Sequence, residues 1–288
     1  MEIKVIFEKY LEYLKIFRKK GTYNYYKKNF ILLEKAFTNL NIREVNAFNE
    51  NTYVDVLIWI KNNTNKKNSK INDCMSCFLT ALNYQNIKYN FKIIKLTDDT
   101  TPFKILNDNE LKELFKYLDS LDIKKSNNLV WVASIYIALD TGARKNELLN
   151  IKTKNVDLVS KTIYLETTKT EKRFVKFGKN SEKYINLLYD INNEYLLFNR
   201  LKEKKLTRSS IEHFLDKINK NLILDSGNIT LHRLRKTLAT KLFISGMPLP
   251  SIQKILGHSD IKMTMRYIDV TTLILDKHYE EFYPFWYK

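Results

Sequence analysis

Through residues 1–92, apolar positions return every three to four residues, the period of one face of an α-helix. Val5, Tyr10, Leu11, Leu14 and Phe17 form one such stripe, and Phe30, Leu33, Ala36 and Phe37 a second. Tyr53, Val54, Leu57 and Ile60 form a third, and Cys74, Phe78, Leu79 and Leu82 a fourth. Each helix must cover its stripe against the others, so the pattern predicts a small helical bundle. It lapses at Lys95-Leu-Thr-Asp-Asp-Thr-Thr-Pro-Phe103, where small polar residues and a proline predict a linker. The expected organisation is a first domain over residues 1–94, a linker over 95–103, a second domain over 104–270 and a tail over 271–288.

The second domain opens with a predicted helix. Asn107 can cap it, Glu110 completes a capping box, and Leu111, Leu114, Phe115 and Leu118 give it an apolar stripe. Residues 129–139 are almost all apolar, as a buried central helix would be. That run stops at Asp140-Thr-Gly-Ala and delivers Arg144 to a turn beside the core. Between 162 and 177 the period shortens to two. Thr162-Ile-Tyr-Leu-Glu-Thr and Arg173-Phe-Val-Lys-Phe predict two strands joined by Thr168-Lys-Thr-Glu-Lys172. Helical spacing resumes over 181–197, 208–222 and 231–245, the last with Thr230 as N-cap and Gly246 as its stop. The expected class is mainly α with a small β-hairpin in the second domain.

Charge narrows the partner. A net charge of +17 and a pI near 9.5 point to a polyanion. No stretch approaches the roughly 18 apolar residues of a membrane-spanning helix, and the N-terminus lacks the apolar core of a signal peptide. A cytoplasmic protein with no membrane partner is expected. Lysines cluster where helices end or loops begin, and Lys19, Lys20, Lys27, Lys28, Lys66, Lys67 and Lys70 are candidate phosphate contacts, the ordinary alternative being solvated surface. Cys74 and Cys77 form a lone Cys-x-x-Cys with all four histidines beyond residue 210, so no zinc ligand set is visible and helix packing is the expected role.

Six residues carry the candidate chemistry: Arg144, Lys169, His232, Arg235, His258 and Tyr267. Two guanidiniums can grip the non-bridging oxygens of a phosphodiester, and an ammonium can protonate a leaving alkoxide. Imidazoles can orient or move protons, and a phenol can be a covalent nucleophile. Each residue alone has an ordinary reading: a helix-end cation, a turn lysine, a capping histidine, a core tyrosine. Only His232 and Arg235 are tied by local spacing, three residues apart on one helix face.

Taken in order, Thr141-Gly-Ala-Arg-Lys-Asn-Glu-Leu, the hairpin lysine, His232-Arg-Leu-Arg, Leu256-Gly-His and Tyr267 resemble the landmarks of the tyrosine recombinase (phage integrase) family, in its minimal, Xer-like form. The resemblance spans essentially the whole chain. It implies a two-domain, C-shaped clamp on double-stranded DNA, with a helical core-binding (SAM-like) domain followed by a catalytic domain. Arg144 and Arg235 would bind the scissile phosphate, Lys169 would act as the acid, and His232 would help accept the proton of the nucleophile Tyr267. His258 would hydrogen-bond the phosphate, and Glu147 would support the active-site histidine. No cofactor or metal is implied, the assembly would be a homo-tetramer on two paired sites, and the tail would dock in a neighbouring protomer or on its own domain. Lys236-Thr-Leu-Ala-Thr, where relatives often carry His and Phe, departs from the pattern. Competing readings are a type IB topoisomerase-like strand transferase and a catalytically silent DNA-binding accessory protein.

Overall fold

The computed structural model describes residues 1–97, 104–125, 127–166, 172–199 and 203–265. Its contacts divide into two compact units, Met1–Pro102 and Phe103–Lys288.

The first unit packs α1 (Ile3–Phe17), α2 (Lys20–Asn39), α3 (Glu50–Asn63) and α4 (Asn68–Tyr84) around an aromatic centre. Phe7 stacks on Phe30 at 4.1 Å, and Phe78 meets Phe7, Phe37 and Phe48 edge-on. The buried face of α1 is Ile3, Ile6, Phe7, Tyr10 and Leu14, whereas Val5 is half-buried and Phe17 is 65% exposed. The expected stripe was thus rotated by about one position, because Ile3, Phe7, Tyr10 and Leu14 hold the i, i+4, i+7 series more closely. In α3, Val56 is buried and Val54 only partly so, for the same reason. Cys74 and Cys77 are buried on α4, where the Asn29 amide donates to Cys77 Sγ at 3.4 Å. Burial pushes their thiols up to about 12 and about 11, as suits packing groups rather than reactive ones. Residues 95–97 lie on this unit, since the Asn72 side chain exchanges two hydrogen bonds with Leu96 and the Asn68 amide donates to the Thr97 carbonyl.

The second unit is built around α6 (Asn128–Thr141), buried on nearly all sides against α8 (Lys179–Leu188), α9 (Arg208–Asn221) and α10 (Leu231–Ile244). Before α6 comes α5 (Asp108–Asp119), with the Asn107–Glu110 capping box formed as expected. A four-residue helix, α7 (Lys145–Leu148), follows α6. The antiparallel sheet runs in the order β1 (Val156–Asp157), β2 (Thr162–Leu165), β3 (Arg173–Lys176), with Leu165 opposite Arg173 and Ile163 opposite Val175. β1 was not expected, being too short to show a period.

The helix expected over 181–197 is corrected: α8 stops at Leu188. Asp190 accepts hydrogen bonds from the backbone and side chain of Asn192 and from the Asn193 side chain, a turn that competes with helix. The chain then runs back past the segment following α7, where Leu196 donates to the Ile151 carbonyl. A small ribbon of β4 (Phe198–Asn199) and β5 (Lys204–Lys205) follows. Beyond α10 come α11 (Leu249–Leu256) and α12 (Ile261–Met265). Among the described residues, no helix is long and apolar enough to cross a membrane.

Candidate active site

Two helices end on glycines in the left-handed region. Gly142 closes α6 at φ +59° and Gly257 closes α11 at φ +63°. A helix end exposes carbonyls without intrahelical partners and carries partial negative charge. Here arginines take those carbonyls. At α11, Arg173 Nε donates to Ile255 at 2.7 Å, Arg235 Nη2 to Leu256, and Arg144 Nη2 to Gly257 at 2.7 Å. Arg235 Nη1 also donates to the Gly142 carbonyl, tying the two ends together.

One carboxylate lies within the cluster. Glu147 Oε1 accepts from Arg144 Nη1 at 3.0 Å and from Arg173 Nη1 at 2.9 Å. Its Oε2 accepts from the Arg144 backbone N–H and from Arg173 Nη2, both at 2.8 Å. Burial alone would raise this carboxyl; the hydrogen bonds from Arg173 and the Arg144 backbone, with both guanidinium charges, hold it instead at about 2. Glu147 thus supports two arginines, whose N–H groups engage both of its oxygens. Counting Arg144, Arg173 and Arg235 against Glu147 leaves two net positive charges in a largely enclosed setting.

His258 packs against this cluster. Its Nε2 lies 3.0 Å from Arg235 Nη2 and its Nδ1 lies 2.9 Å from Thr264 Oγ1. A guanidinium only donates, so Nε2 is the acceptor and Nδ1 carries the proton. Desolvation first, then the charges of Arg235, Arg144 and Arg173 and the nearby His232, lower its pKa to about 4. His232 projects from the first turn of α10, whose N-cap Thr230 accepts from the Arg233 N–H. The ring keeps an exposed edge, yet desolvation of its inner side, followed by Arg235 and Lys236, lowers its pKa. Lys169 and Tyr267 lie outside the described residues.

Clefts flank the cluster. One of about 490 Å³ is lined by Arg144, His232 and Arg235 together with Lys145, Glu212 and Asn228. Another, of about 650 Å³, is lined by Arg173, Phe174, Gln253, Gly257 and His258. Among the described residues, no group of three or more His, Cys, Asp or Glu side chains is placed to hold a metal ion.

The sequence profile of the phage integrase family matches residues 104–273. The chain belongs to the phage integrase family. Among relatives of this tyrosine recombinase family, a probable integrase/recombinase of Acholeplasma phage L2 is 28% identical over 240 residues, covering 82% of each chain. Tyrosine recombinase XerC of Bacillus subtilis (strain 168) is 27% identical, covering 96% of this chain and 95% of its own. The fold matches the Tn1549 transposon integrase in complex with a circular intermediate DNA at a TM-score of 0.78 and 17% identity, over 98% of this chain and 99% of that one. It matches a lambda integrase dimer bound to a COC′ core site at a TM-score of 0.75 and 15% identity, over 93% and 96%.

Within this integrase-family site, the structure brings together Arg144, Arg235 and His258 through hydrogen bonds, with His232 close enough to act on His258 by charge. The arginine that sequence reading passed over is Arg173. Its signal was parity: Arg173 and Val175 share the buried face of β3, while Phe174 and Lys176 face out. Thr264 was also passed over, because an isolated threonine in a short helix has no distinguishing pattern. In the first unit Lys19, Lys20, Lys27, Lys28, Lys66, Lys67 and Lys70 are all exposed, Lys70 beside Asp73 at 2.9 Å.

Proposed function

We propose that this chain is a site-specific recombinase that cleaves and rejoins double-stranded DNA at recombination sites through a 3′-phosphotyrosyl intermediate. The observation that carries this reading is the convergence of Arg144, Arg235 and His258 on the glycine ends of α6 and α11, inside the stretch matched by the family profile.

A scissile phosphate set against this cluster meets donors already oriented by helix carbonyls, so little reorganisation accompanies charge development. In other enzymes one such donor contributes roughly 3 kcal/mol. Tyr267 Oη attacks phosphorus and the bond to the 5′-oxygen breaks. His232, with its lowered pKa, is neutral near pH 7 and suited to receive the phenolic proton. Lys169 supplies the proton that leaves with the 5′-hydroxyl. Attack by another 5′-hydroxyl on the phosphotyrosine reverses every step, so the ester is exchanged and no nucleotide is consumed. Arg235 donates to two carbonyls and lies against His258, and on this reading His258 holds a phosphate-binding arginine. The lysine-rich first unit supplies phosphate contacts along the duplex, and four copies on two paired sites would complete a strand exchange.

Nicked duplexes bearing a site selected from randomised DNA by the full chain test this reading. Wild type is expected to form an SDS-resistant protein–DNA adduct, and Tyr267→Phe to bind equally well and form none. No adduct from wild type on selected duplexes would overturn the proposal.

A further inference from the structure

Arg173 is buried at 8% exposure, and three of its N–H groups are committed: Nε to the Ile255 carbonyl, Nη1 and Nη2 to the two oxygens of Glu147. A buried ion pair is a poor way merely to hold a fold, because desolvating two charges offsets most of their attraction and apolar residues of similar volume serve as well. What this pair does that an apolar pair cannot is fix the plane of a carboxylate. The same two oxygens carry Arg144, Oε1 its guanidinium and Oε2 its backbone N–H. Arg173 also lies against the turn that carries His258: a Cβ built on Gly257 would stand 2.8 Å from Arg173 Nη1.

One side chain therefore touches three parts of the site: the strand leaving the Thr168–Lys172 connection, the Arg144 turn through Glu147, and the end of α11. We propose that Arg173 is a positioning residue, a clamp that sets Glu147 and the α11 terminus so that Arg144 and the Gly257–His258 turn are held ready for a phosphate. Arg173 acts through Glu147 and the carbonyl of Ile255. The kinetic consequence rests on the recombinase reading; the geometric one does not.

Three full-length variants test it: Arg173→Lys, Arg173→Gln, and Arg173→Gln combined with Glu147→Gln. On the selected nicked duplex, Arg173→Gln is expected to cleave roughly a hundredfold more slowly, the scale of loss when a binding group is displaced by about 1 Å. Its DNA affinity is expected to match wild type, and Arg173→Lys to recover part of the rate. In free protein, the His258 imidazole is followed by NMR titration. The groups facing it are Arg235, Arg144, Arg173 and His232. Loss of one cation should move its titration upward in the Gln variant and leave it near wild type in the Lys variant.

A wild-type cleavage rate in Arg173→Gln, or equal losses of rate and affinity in every folded variant, overturns the clamp. If Arg173→Gln does not fold, the double variant removes the unpaired carboxylate, and Arg173→Lys carries the same comparison of rate with affinity. Should wild type form no adduct at all, the recombinase reading fails, while unchanged NMR shifts of the Arg144 guanidinium and the Gly257 and His258 backbone amides in Arg173→Gln would still overturn the clamp independently.

Discussion

At the scale of single residues, His258 and Glu147 are both held deprotonated by the same guanidiniums. Cations nearby disfavour a protonated imidazole and favour an ionised carboxylate. Both shifts are stability statements with defined pH windows. His258 falls from an ordinary 6.5 to about 4 on folding, so between those values the unfolded chain binds a proton that the native state refuses. Its contribution is complete above pH 6.5 and is lost as pH falls toward 4, by up to about 3 kcal/mol. Glu147 falls from 4.5 to about 2, so its contribution is complete above pH 4.5 and is lost below that toward 2. Thermal unfolding from pH 7.5 to 4.5 should show a steep loss of stability that flattens in His258→Asn. An equal slope in the variant would mean that His258 titrates normally in the folded protein. The residues of this cluster were legible in the sequence to different degrees. Arg144, Arg235 and His258 were found through motif order, and Arg173 was passed over because an arginine at a strand start looks like a solvated cap. What Glu147 holds could not be read from spacing, since three residues separate it from Arg144 whatever else it touches.

At the scale of elements, the site is two helix ends facing each other, and glycine makes both possible. Gly257 adopts φ +63°, and an added methyl would stand 2.8 Å from Arg173 Nη1 and 3.0 Å from its Cδ. Arg173 is pinned by Glu147 and cannot move away without breaking the clamp. Gly257→Ala should cost about 1–2 kcal/mol from backbone strain and crowding, seen as a lower Tm. Cleavage should suffer more than that loss of stability implies. A variant with wild-type Tm and cleavage would contradict the close approach. Helices whose caps and stripes were explicit, such as α5 with Asn107 and Glu110 or α10 with Thr230, were legible because local bonds define them. The segment after Leu188 was not, because its apolar spacing resembles a helix while its structure answers to Asp190 and to the distant Ile151 carbonyl.

At the scale of the whole molecule, each unit has its own apolar core, and the +17 charge is spread over both. Changing Lys19, Lys20, Lys27, Lys28, Lys66, Lys67 and Lys70 to Gln in the full chain should flatten the salt dependence of DNA binding. The slope of log K against log salt should fall by about 0.9 for each phosphate contact removed. Lys70 should count least, being already paired with Asp73. An unchanged slope would make these lysines ordinary solvated surface. The central claim, strand exchange through a tyrosine ester, is tested most directly by digesting the wild-type adduct with nuclease and protease and sequencing the modified peptide by mass spectrometry. The account predicts a nucleotide joined through its 3′-phosphate to Tyr267 and a free 5′-hydroxyl on the other strand end; a linkage at any other residue, or through a 5′-phosphate, would contradict it.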